Sequence, residues 1–120
     1  MILADTSIWI KFLSHENSTM KSLLETEKIV MHPFVQVEIS LGSLKNRNEL
    51  MRMMDRMPHT DVVDNNLVKQ YIENNKLYNT GIGFVDASII ASCVLNSHRL
   101  WTLDKALIKQ AAKCKILYSP

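Results

Sequence analysis

Apolar positions follow two rhythms along this chain. The first is a set of short, nearly unbroken runs: Met1-Ile2-Leu3-Ala4, Ile29-Val30-Met31 and Leu100-Trp101-Thr102-Leu103. A strand covered on both faces has no reason to alternate, so runs of this kind predict buried strands of a parallel sheet. Thr60 to Val63 and Ile116 to Tyr118 predict two further short strands. The second rhythm is helical, with apolar residues three and four apart. It predicts helices over Ser7–His15, Ser18–Glu27, from Pro33 to near Gly42, over Asn46–Met57, from Asp64 or Asn65 through Leu77, over Phe84–Leu95, and after Asp104. Strands and helices alternate throughout. The expected architecture is α/β, one domain with a central, mostly parallel sheet of four to five short strands flanked by helices.

Local signals refine the boundaries. Thr6 or Ser7 is placed to cap the first helix, which carries Ile8, Trp9, Phe12 and Leu13. Pro33 suits the first turn of a helix, and Gly42 its end. That helix is expected to carry Phe34, Val37, Ile39 and Leu41. The segment Phe84–Leu95 is apolar nearly all round, so it should be the most buried helix. Four of the seven methionines fall between Met51 and Met57. Leu50, Met54 and Met57 form one stripe there, with Met51 and Met53 beside it. This is either a broad core face or an adaptable surface for a partner.

At 120 residues the chain suits a single core, and its 47% hydrophobic and 22% charged content is that of a globular protein. No apolar run reaches the ~20 residues of a membrane span. With no basic leader before an apolar core, a cytoplasmic location is expected. Cys93 and Cys114 both lie in apolar patterns and read as buried thiols, not a bridge.

Most acids occupy polar faces and loops, but four do not. Asp5 ends the first buried strand, and Asp104 follows the last long one. Glu38 shares a helical face with Phe34 and Leu41. Asp86 shares one with Ile89, Ile90 and Cys93. An ionised carboxylate buried alone costs several kcal/mol, and several together repel one another. The pattern offers no basic partner on those faces, and a hard divalent cation would resolve both costs. Oxygen-only ligands favour Mg²⁺ or Mn²⁺ over zinc. Taken singly, each acid also has an ordinary explanation: Asp5 and Asp104 as helix caps, Asp86 as a first-turn acid, Glu38 as a residue reaching solvent. Their coincidence at one sheet edge, where open α/β sheets keep their ligands, favours a site. If those four of the 12 acids cluster, the remaining eight face 14 basic groups. Such a surface suits a polyanion held by a basic rim.

The combination of Asp5-Thr6-Ser7 after an apolar start, Glu38 with Gly42 four on, Asp86-Ala-Ser-Ile-Ile-Ala, and Thr102-Leu-Asp104 resembles the PIN domain. More narrowly, it is similar to the small ribonucleases that act as VapC-type toxins of toxin–antitoxin pairs. The resemblance spans the chain and implies a divalent-metal-dependent endoribonuclease acting on structured RNA such as tRNA. It implies that Asp5, Glu38, Asp86 and Asp104 form a catalytic acidic quartet holding one or two Mg²⁺ or Mn²⁺ ions. Ser7 then corresponds to a hydroxyl that orients a carboxylate or a bound water, with Thr6 beside it, and Thr102 to the hydroxyl two residues before the last acid. In metal-assisted hydrolysis the ion lowers the pKa of water for attack on phosphorus. Asp5 and Asp86 are the expected main ligands, Glu38 a ligand or base, and Asp104 a more distant ligand. Lys11, Lys45, Arg47, Arg52, Lys105 and Lys109 are candidates for a phosphate-binding rim. The resemblance also implies a homodimer and an antitoxin partner, docking near Met51, Met53 and Met54. One departure is Leu107, where the family often has an aromatic; it bears on packing and not on ligation.

Other classes fit less well. A haloacid-dehalogenase-type phosphatase needs a second Asp at position 7, which is Ser. A receiver domain needs an acidic pair near the first strand, where Asp5 stands alone. A PIN module that binds metal and RNA without cutting, acting through a partner, is the non-enzymatic alternative.

Overall fold

The computed structural model describes all 120 residues. The elements run β1 (Ile2–Ala4), α1 (Thr6–Ser14), α2 (Ser18–Glu25), β2 (Ile29–Val30), α3 (Pro33–Ser40), α4 (Arg47–Arg56), α5 (Asn65–Asn75), α6 (Phe84–Leu95), β3 (Arg99–Trp101) and α7 (Lys105–Lys113). The three strands form one parallel sheet in the order β2-β1-β3. The N-terminal apolar run is therefore the central strand. Leu3 pairs with Val30 on one side and Leu100 on the other, and both Leu3 and Leu100 are fully buried.

The two further strands expected at the edges shrink to single parallel bridges, Met31 with His59 and Leu100 with Leu117. On the first edge, Thr60 N–H donates to Met31 O, but the Asp61 carbonyl next door turns away to accept from Ser92 Oγ at 3.1 Å. Three strands and two bridges are the whole sheet.

Helices cover the sheet around a core of 19 buried residues that includes Leu3, Trp9, Ile90, Leu100 and Leu107. In α6 every residue from Ala87 to Cys93 is buried, as its all-round apolar pattern requires. In α3, by contrast, only Val35 and Ile39 face the core. Val37 and Leu41 are 58% and 82% exposed, so this helix shows much of its apolar surface to solvent. Met54 is fully buried and Met53 is on the outside of α4. Cys93 and Cys114 are free thiols, and burial pushes Cys93 up to about 12. No helix is long and apolar enough to cross a membrane.

Candidate active site

The site grows from the carboxyl end of β1. Asp5, not Thr6 or Ser7, is the N-cap of α1: its Oδ1 accepts from Ile8 N–H at 3.2 Å, and the helix starts one residue earlier than expected. Its backbone N–H is still held by the Trp101 carbonyl at 3.0 Å, so strand pairing and helix cap meet in one residue. The carboxylate is buried and triply bonded. Ser7 Oγ donates to Oδ1 at 2.5 Å, and Thr102 Oγ1 donates to Oδ2.

The two hydroxyls carry the network on to the next strand end. Ser7 Oγ accepts from Leu103 N–H at 3.0 Å, and Thr102 Oγ1 accepts from Asp104 N–H at 3.1 Å. Asp104 is itself the N-cap of α7, accepting from Leu107 N–H at 2.9 Å through Oδ1. On the other side of Asp5, Thr6 Oγ1 donates to Glu38 Oε1 at 2.7 Å. Asp86 stands in the first turn of α6, half-buried.

Electrostatics joins what the hydrogen bonds only partly link. Burial pushes the Asp86 carboxyl above its ordinary value, and the charges of Asp104, Asp5 and Glu38 push it further, against an opposing backbone contact with Gly83. A base would offset this repulsion, and there is none. The molecule's one salt bridge, Lys21 to Glu16, lies elsewhere. All four predicted acids thus lie in one field at one edge of the sheet. They are not drawn into a preformed cage, since no three carboxylate, imidazole or thiol groups stand where they could share an ion. Glu38 also differs from expectation. It is exposed, because its face of α3 opens to solvent beside Val37 and Leu41.

The predicted basic rim is scattered. Arg47 is taken up structurally: Nη2 donates to Ser40 O at 2.5 Å and Nη1 to Gly42 O at 3.3 Å, tying down the C-terminal end of α3. Lys11, Lys45, Arg52, Lys105 and Lys109 are free of ion pairs. Lys105 immediately follows Asp104 and opens α7. Met54 cannot serve a partner as expected, because its side chain lies wholly in the core; Met53 and the half-buried Met51 remain at the surface.

A strut between the two helices bearing Glu38 and Asp86 was not anticipated. His32 caps α3, accepting from Phe34 N–H through Nδ1 at 3.0 Å, and its Nε2 lies 3.2 Å from Ser92 Oγ on α6. Burial drives the imidazole down to about 4, so it is neutral at pH 7. Histidine is not among the usual capping residues, and the only sequence signal was its place before Pro33.

Residues 2–113 match the family model described as the PIN domain. The chain belongs to the PIN-domain family. Among curated relatives it is 35% identical over 108 residues to Ribonuclease VapC32 of Mycobacterium tuberculosis, in both strain CDC 1551 / Oshkosh and strain H37Rv, covering 89% of this chain and 87% of the relative. The fold is also that of FitAcB from Neisseria gonorrhoeae, with a TM-score of 0.63 at 20% identity, covering 93% of this chain and 94% of the other. FitAB bound to an IR36 DNA fragment aligns with a TM-score of 0.60 at 19% identity, over 93% and 91% of the two chains. The overall fold of this PIN domain is shared across that span.

Proposed function

We propose that this PIN domain is a divalent-metal-dependent endoribonuclease of the VapC type, the toxin of a toxin–antitoxin pair, and that it acts on structured RNA such as tRNA. One observation carries the chemistry: four acids without a single basic partner share one field at the carboxyl edge of a parallel sheet. The relative named a ribonuclease, similar over most of both chains, supports the substrate class.

The donor set fits a hard ion. Every candidate ligand is a carboxylate oxygen, and both cysteines are free thiols, Cys93 about two turns along α6 from Asp86. Asp5 and Asp86 would hold the main Mg²⁺ or Mn²⁺, with Glu38 and Asp104 as further ligands for that ion or a second. When bound, such an ion activates water and stabilises charge at the phosphoryl group. The chain's own residues do the rest. Ser7 and Thr102 fix both oxygens of Asp5, so its orientation is set before substrate arrives. Thr6 holds Glu38, the candidate general base, by one oxygen and leaves the other free. Lys105, Lys109 and Lys11 are the nearest candidates in sequence to the acids for phosphate contacts, with Lys45 and Arg52 farther along the chain.

Met51 and Met53 on α4 are the proposed partner contacts for an antitoxin, and the working unit is proposed as a homodimer in the cytoplasm. The test is cleavage of total cellular RNA by the purified chain with Mg²⁺, Mn²⁺ or EDTA, and by Asp86→Asn. Discrete fragments that vanish in EDTA and in the variant are expected. Cutting that persists in both would reject the acidic site. A folded chain that binds Mn²⁺ and never cuts would leave the non-cleaving RNA-binding module.

A further inference from the structure

A concavity of about 190 Å³ lies near the acidic edge, its eight lining residues including Lys11 and Phe12 of α1, Asn17, Trp101 of β3, Leu103 and Pro120 but none of the four acids. Its place is set by the active-site scaffold. Leu103 lies between Thr102 and Asp104, and its N–H is fixed by Ser7 Oγ at 3.0 Å. Leu103 thus links the rim of the concavity through the backbone to the Asp5–Thr102–Asp104 network.

The lining is mixed in an informative way. Phe12 is half-buried and packs T-shaped against Trp9, with centroids 6.3 Å apart and planes at 77°, which restrains its ring at the wall of the concavity. Leu103, 46% exposed, forms another wall. Asn17 caps α2 through its Oδ1, which accepts from Met20 N–H at 2.9 Å. That bond uses the oxygen and leaves both amide hydrogens of the side chain for a ligand. Lys11 is exposed and free of any ion pair. The space is below the roughly 300 Å³ at which pockets for drug-sized ligands begin. It suits one flat, aromatic, hydrogen-bond-accepting group that carries an anion. A nucleobase with its phosphate has those properties, since every base offers a π-face for stacking and an acceptor on its edge.

We propose that this pocket takes one base of the bound RNA, next to the scissile phosphate, with Phe12 as stacking wall, Asn17 as donor to the base edge and Lys11 on the adjoining phosphate. This rests on the nuclease reading for its substrate, and its test separates the two. Amide spectra of the full chain are recorded in EDTA with each of the four ribonucleoside 5′-monophosphates. Saturable shifts at Lys11, Phe12, Asn17 and Leu103 are expected with at least one of them. Asn17→Asp keeps an equivalent helix cap but removes the donor, and should abolish those shifts. No shift at these amides with any nucleotide overturns the pocket, as do shifts that survive in Asn17→Asp or a pocket that accepts only peptide.

On an RNA that the chain cleaves, Asn17→Asp and the milder Phe12→Leu should each raise KM about tenfold and leave kcat within about twofold. Unchanged KM in both variants overturns the proposal. Because the spectra are taken in EDTA, a chain that binds nucleotides and never cuts rejects the nuclease alone. A chain that cuts and ignores both variants rejects the pocket alone.

Discussion

At the scale of single residues, the site depends on how Asp5 is held. A buried carboxylate stripped of a donor keeps its desolvation cost without compensation. Thr102→Val keeps the shape of the side chain and removes the hydroxyl that serves both Asp5 Oδ2 and the Asp104 N–H. It should destabilise the chain by about 1–3 kcal/mol in urea unfolding and lower cleavage as well. His32 gives a pH signature of known sign. Its folded pKa, about 4, lies below the ordinary 6.5 because burial disfavours the charged ring. The unfolded chain therefore binds this proton first as pH falls, and stability should decline between pH 6.5 and about 4. His98, also depressed by burial, contributes in the same sense. His32→Asn, which can cap without titrating, should flatten part of that decline in urea midpoints measured across the range. A slope unchanged by the substitution would mean the strut does not titrate as described.

At the scale of elements, two helix starts serve the fold and the chemistry with the same atoms. Asp5 caps α1 and Asp104 caps α7, which is why each looked ordinary when taken alone. The two roles separate at Asp104. Asparagine caps as well as aspartate, so Asp104→Asn should leave the melting temperature near that of the wild type while cleavage falls. Asp104→Ala should lose about 1 kcal/mol of stability in addition. Helix α4 offers a similar separation. Met54 is wholly buried and Met53 is 38% exposed. Met54→Ala should cost about 2–5 kcal/mol, as large core truncations do. Met53→Ala should fall within ~0.5 kcal/mol on stability and weaken only partner binding, read by calorimetry with the antitoxin. Helical spacing alone put Met54 on the stripe with Leu50 and Met57 and left Met53 beside it, and the structure buries Met54 fully and half-buries the other two of the stripe.

At the scale of the whole molecule, charge is distributed unevenly between an acidic edge and a basic remainder. Asp86 carries the cost, its carboxyl pushed up by burial and by three like charges. A folded pKa raised above the unfolded one means stability is lost as pH rises through the folded value, so at neutral pH this charge opposes folding. Saturating Mg²⁺ or Mn²⁺ should raise the melting temperature by several degrees, since a ligand of the native state alone stabilises it. The increase should disappear in Asp86→Asn, whose melting temperature in EDTA should equal or exceed that of the wild type. A metal effect of equal size in the variant would place the ion elsewhere.

Legibility followed physical range. The buried runs, the helical periods and the alternation of the two depend on neighbours a few residues away, so the α/β class, the strand at Ile2–Ala4 and the burial of Phe84–Leu95 could be read directly. The oddly placed acids were legible for the same reason, since each departed from its local pattern. What lay between distant segments was not. The sheet order β2-β1-β3, the reduction of two edge strands to single bridges and the exposure of Glu38 all depend on which segments pack together. So do the capture of Arg47 by the end of α3 and the tie from His32 to Ser92 across 60 residues. The sequence by itself determined which residues wanted burial and which carboxylates lacked a local partner. Only the tertiary structure decided that those carboxylates share one field with no base to offset it, because Coulombic interaction depends on distance in space and not on separation along the chain.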